Sequence, residues 1–67
     1  MKITGLNISA TSVAVKYKDG SREIINADGY AAMQNVRNAP GWQLPPKGEA
    51  HLHDEAVVAE ARRLAAK

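Results

Sequence analysis

Two stretches of the chain hold side chains with the means to do chemistry. In His51-Leu52-His53-Asp54-Glu55, two imidazoles and two carboxylates stand close together, and these are donor types that hold zinc. Histidines at alternate positions converge only on an extended backbone, and a structural zinc site needs four well-placed ligands. The sequence has no cysteine to complete such a set. The expectation is therefore a solvated linker ahead of a helix, with no metal and no cofactor. Catalysis has less support still, since no Gly-x-Ser-x-Gly elbow, phosphate-binding glycine loop or framed acid pair is present. A domain this small also encloses no substrate pocket. The chain is expected not to be an enzyme.

The second stretch is Val13 to Ile25, VAVKYKDGSREII, where Lys16, Lys18 and Arg22 flank Tyr17. With Lys2 they form a nucleic-acid-binding candidate, cations for phosphates and Tyr17 as a stacking platform. Facing depends on the turn. A two-residue type I′ turn at Asp19-Gly20 pairs Lys16 with Glu23, Val15 with Ile24 and Ala14 with Ile25. That register puts Val13, Val15, Tyr17, Arg22 and Ile24 on one face, and Lys16, Lys18, Glu23 and Ile25 on the other. A three-residue bulged turn sets Val15 against Glu23 and Lys16 against Arg22, and is disfavoured because it forgoes the Lys16–Glu23 pair. On the favoured register the lysines and Tyr17 part company, Glu23 offsets the lysines, and Ile25 is an apolar residue stranded on a polar face.

The elements that position these groups follow from periodicity. Residues 2–8, KITGLNI, read as a strand in which Ile3 is out of phase with Leu6 and Ile8 unless a bulge near Gly5 restores the register. Ser9 to Ser12 is a turn whose hydroxyls can bond the local backbone. Asn26 or Asp28 caps a short helix over about 28–38, with Tyr30, Met33 and Val36 at helical spacing. Pro40 ends it. Residues 39–50 hold all three prolines and form an extended connector carrying Trp42 and Leu44. A last helix over about 54–66 starts at Asp54 as N-cap, carries a stripe of Val57, Val58, Ala61, Leu64 and Ala65, and has Arg62, Arg63 and Lys67 at its negative end. The expected architecture is a single α+β domain over residues 1–67, a three-stranded antiparallel sheet within 2–26 followed by two helices packed on one face.

The chain has 67 residues, nine Lys and Arg against seven Asp and Glu, and three aromatic side chains. Its core must be small and aliphatic, and its stability margin thin. Neither a leader nor an apolar run of membrane-spanning length is evident, so the expected setting is the cytoplasm, with no membrane association. The leading expectation is a protein-interaction module, an adaptor, inhibitor or complex subunit of the kind phages and mobile elements carry. Its docking residues would be Trp42 and Leu44, seconded by Ile25, Lys16 and Lys18, because a large apolar side chain on a proline-stiffened loop loses little entropy on binding. The alternative is a nucleic-acid-binding module using Lys2, Lys16, Lys18, Arg22 and Tyr17. A homodimer, through the alanine-rich helix or an unpaired strand edge, would also enlarge the core.

Overall fold

The computed structural model describes residues 2–66. Its elements run β1 (Ile3–Ile8), β2 (Val13–Tyr17), β3 (Arg22–Ile25), α1 (Gly29–Arg37) and α2 (Ala50–Ala65). The strands form one antiparallel sheet in the order β1-β2-β3. α2 packs against all three strands and against α1, so the architecture is the expected α+β arrangement. Lys67, assigned to the end of the last helix, lies outside the described residues.

β1 is bulged where its hydrophobic phase slips. Ile3 pairs with Tyr17 and Gly5 with Lys16, leaving Thr4 extra, and Thr4 Oγ1 donates to the Lys16 carbonyl at 3.3 Å. The bulge brings Ile3 back to the face of Leu6 and Ile8, where Ile3 is buried and the other two pack on the core. The 9–12 turn is held by its own hydroxyls: Ser12 N–H donates to Ser9 Oγ at 3.1 Å, and Ser9 N–H to the Ser12 carbonyl at 2.9 Å.

The β2–β3 register is the one the sequence disfavours. Val13 pairs with Ile25, Ala14 with Ile24, Val15 with Glu23 and Lys16 with Arg22. The reason lies in the turn. Gly20 N–H donates to the Tyr17 carbonyl at 3.0 Å and Tyr17 N–H to the Ser21 carbonyl at 2.9 Å, closing a three-residue loop of Lys18, Asp19 and Gly20. Gly20 has φ +90°, and among the described residues no non-glycine has a positive φ. A type I′ turn would need Asp19 there too. Asp19 instead accepts from Ser21 N–H and Ser21 Oγ at 2.9 and 2.6 Å, an Asx turn that suits a type I turn followed by a glycine bulge. Every residue of β3 consequently faces opposite to expectation. Ile25 is core, 5% exposed, and Ile24 stands out at 63%.

Val13, Val15, Ile25, Ala32, Val57, Val58 and Ala61, with Ile3, form the buried core between the sheet and the helices. Asp28 caps α1 by accepting from Ala31 N–H at 3.0 Å. The buried face of α1 is Gly29 and Ala32, with Met33 and Val36 packed at its margin, whereas Tyr30 is 55% exposed. Gly29 sits where the helix meets the 9–12 turn and donates its N–H to the Ser9 carbonyl at 2.8 Å. α2 begins one turn before its expected start. A turn closed by Glu49 N–H to the Pro46 carbonyl at 2.9 Å launches it, and Glu49 makes no side-chain cap. Asp54 is therefore inside the helix and not its N-cap. Of the expected stripe, Val57, Val58 and Ala61 are buried, Leu64 packs on the core, and Ala65 is exposed.

Candidate functional site

Both helices lie on the side of the sheet that holds Val13, Val15 and Ile25, so the other side is open. Across it the register sets two rows: Gly5, Lys16 and Arg22, then Asn7, Ala14 and Ile24. Just beyond the β1–β2 ladder, Lys18 N–H donates to the Lys2 carbonyl at 2.9 Å. Lys2, just before β1, and Lys18, the first residue of the hairpin loop, therefore lie side by side at the hairpin end of the sheet. Lys16 and Arg22 on the open face, with Lys2 and Lys18 beside them, thus gather at the hairpin end of the sheet, all exposed. Among the described residues none of the four is in an ion pair. Gly5 and Ala14 contribute almost no side chain, leaving a shallow depression bordered by Asn7, Lys16 and Arg22.

The expected neutralisation of these lysines by Glu23 does not occur. On the observed register Glu23 shares the helix-side face with Tyr17, and a residue far along the chain claims it. Arg62 Nη2 donates to Glu23 Oε1 at 2.5 Å and to Tyr17 Oη at 3.1 Å, and Tyr17 Oη donates to Glu23 Oε1 at 2.7 Å. The Arg62 and Tyr17 hydrogen bonds hold the Glu23 carboxyl below the ordinary carboxylate range. The same bond to Glu23 raises the Tyr17 phenol, helped by desolvation, and the Arg62 guanidinium is raised by its bond to Glu23. Tyr17 therefore ties the sheet to α2 and offers no stacking platform on the open face, a role the sequence assigned it.

His51 and His53 lie in the first turn of α2, where residues two apart point away from each other. His53 is turned inward, 14% exposed at its side chain. Its ring meets the edge of Trp42 with centroids 5.8 Å apart, and Arg37 Nε makes a long 3.5 Å contact with its Nε2. Among the described residues no group of three or more His, Cys, Asp or Glu side chains converges.

Trp42 is half-buried, neither wholly core nor wholly displayed. Beside it the connector and the start of α2 form a groove lined by Trp42, Leu44, Pro45, Pro46, Leu52 and His53. Leu44 is 75% and Leu52 48% exposed. Leu52, like Ile24, is an exposed apolar residue the sequence did not single out, because helix start and strand register decide their facing. Ile25, expected on this kind of surface, is removed from it by burial. The α2 stripe expected to serve a dimer is occupied within the chain by the sheet and α1, while β1 and β3 are the sheet's two edges.

No family model, curated protein or solved structure matches the chain. Function must therefore be argued from the site and not from the fold.

Proposed function

We propose that the protein binds nucleic acid through the open face of its sheet. The observation that carries this reading is the clustering of four exposed cations at the hairpin end of the sheet, Lys16 and Arg22 on the face that neither helix covers and Lys2 and Lys18 beside them. Only Asp19 among the acids lies on that hairpin, apart from the inward-facing Glu23, and Asp19 is committed to Ser21. Cations unpaired in a row are the electrostatic footprint of a polyanion ligand, and they act by releasing counterions from phosphates.

Fluorescence anisotropy of a labelled DNA duplex, titrated across salt concentrations, tests the reading. Phosphate contacts from Lys2, Lys16 and Lys18 give a log–log salt slope of about −2.7, and the Lys16→Ala/Lys18→Ala variant, exposed at both positions, lowers its magnitude by about 2. Absence of binding at low salt to the duplex, to its separate strand and to duplex RNA alike, or binding indifferent to salt and to the double variant, overturns it.

A second surface supports docking on a protein, as an adaptor, inhibitor or complex subunit. Leu44 and Leu52 are exposed beside a half-buried Trp42 on a loop stiffened by Pro45 and Pro46, the composition of an interface anchor. Here a partner recovered from the native host by affinity capture is retained by Lys16→Ala/Lys18→Ala and lost by Leu44→Asp. The reverse pattern refutes it. Among the described residues no helix is long and apolar enough to cross a membrane, and both readings suit a chain acting in the cytoplasm.

A further inference from the structure

The open face also says what kind of nucleic acid it fits. Single strands are held by aromatic side chains on which bases stack. The chain has three aromatics, and none of them is on this face: Tyr17 is hydrogen-bonded to Glu23 on the helix side, Tyr30 is on α1, and Trp42 is in the connector against His53. What the face presents is Arg22 and Asn7, side chains able to make bidentate hydrogen bonds to guanine and adenine edges, together with Ile24 for a thymine methyl. They stand among Gly5 and Ala14, which let a partner approach the backbone closely.

Resting on the nucleic-acid reading above, we propose that the β2–β3 ribbon enters the major groove of duplex DNA, with Arg22 reading a base edge and Lys2 and Lys18 on flanking phosphates. Strands about 4.8 Å apart make a two-stranded ribbon that the roughly 12 Å groove of B-form DNA admits. The deep, narrow major groove of A-form RNA excludes it. Lys16, the cross-strand neighbour of Arg22, lies beside it and takes the phosphate adjoining the base that Arg22 reads. β1, carrying Asn7, follows at the groove wall.

Anisotropy with a labelled duplex of about 20 base pairs, its separate strand and the same sequence as duplex RNA decides the matter. The proposal expects the DNA duplex to bind at least tenfold more tightly than either alternative, and methyl green, which occupies the major groove, to displace the protein where netropsin, which occupies the minor groove, does not. Equal or tighter binding to the single strand or to RNA, or displacement by netropsin alone, overturns it while leaving nucleic-acid binding intact. Failure to bind all three polymers at low salt overturns both readings. Selection from a randomised duplex pool adds a readout for Arg22. Arg22→Lys keeps the charge and should hold non-specific affinity within about twofold while losing preference at one base position; Lys18→Ala should weaken all sequences alike. An unchanged selected sequence with Arg22→Lys refutes the base-reading assignment.

Discussion

At the scale of single residues, Gly29 is the position least able to change. A Cβ there would overlap Ile8 Cγ2 and lie 2.8 Å from the Ser9 carbonyl oxygen and 3.0 Å from Val13 Cγ2, and two of those atoms belong to β-branched side chains fixed in or beside the core. Alanine would favour the helix by about 1 kcal/mol on propensity alone. Overpacking costs about 1–3 kcal/mol, and because the backbone carbonyl cannot move without losing its bond from Gly29 N–H, the clash should prevail. Gly29→Ala is expected to lower the urea midpoint, and a rise would show that the helix can slide off the 9–12 turn. The Tyr17–Glu23–Arg62 cluster supplies a pH signature. A carboxyl held below its ordinary range stabilises the fold above that range, and the contribution disappears as pH falls through the depressed value. A phenol held above its ordinary range stabilises below about pH 10, and the contribution disappears as pH rises through the raised value. The groups are half in solvent, so each effect is below about 1 kcal/mol. Glu23→Gln should flatten the acid limb of a stability–pH curve and lower the tyrosine's titration midpoint, followed by its ultraviolet absorbance.

At the scale of elements, the β2–β3 hairpin decides what the molecule displays. The register places Ile25 in the core and Ile24 in solvent. Ile25→Ala should therefore cost about 2–5 kcal/mol and Ile24→Ala within about 0.5 kcal/mol, by chemical denaturation; the opposite ranking would restore the two-residue turn. Most of the element layout was legible in the sequence, because strand alternation, the Asp28 cap and the Pro40 stop are local signals. The bulge in β1 was legible as well, since only an extra residue reconciles Ile3 with Leu6. The register of β3 was not. Two adjacent isoleucines offer an apolar side chain to either face, and Asp-Gly serves both turn types. The deciding facts are the Asp19–Ser21 bonds and the capture of Glu23 by Arg62, 39 positions away. The start of α2 was not legible for a related reason: a backbone turn through Pro46 and Glu49 replaces the side-chain cap expected of Asp54. Each error bears on the candidate site. The first reunites Arg22 with the lysines, and the second sets His51 and His53 on different sides of a helix.

At the scale of the whole molecule, charge is divided as sharply as the layers are. Lys2, Lys16, Lys18 and Arg22 gather at the hairpin end of the sheet with Asp19 alone among the acids at the tip, while the remaining described cations, Arg37, Lys47, Arg62 and Arg63, are outnumbered by Glu23, Asp28, Glu49, Asp54, Glu55 and Glu60. The net charge of +2 is thus the residue of a basic face and a mildly acidic remainder, which is why composition alone understates the attraction for a polyanion. This division also couples binding to stability. A chain of 67 residues keeps a thin margin, and a ligand that binds only the folded sheet deepens it: at one hundred times its Kd a duplex adds about 2.7 kcal/mol. For a domain this size each kcal/mol moves Tm by about 4–8 °C, so saturation should raise Tm by about 10 °C or more. The Lys16→Ala/Lys18→Ala variant, altered only at exposed positions, should keep the unliganded Tm within about 2 °C and lose most of that rise. Leu44→Asp, on the connector beside α2 and therefore on the helix side of the sheet, should keep the whole of it. A duplex-induced shift that survives the lysine double variant but vanishes with Leu44→Asp would transfer the binding function from the open sheet to the Trp42 groove.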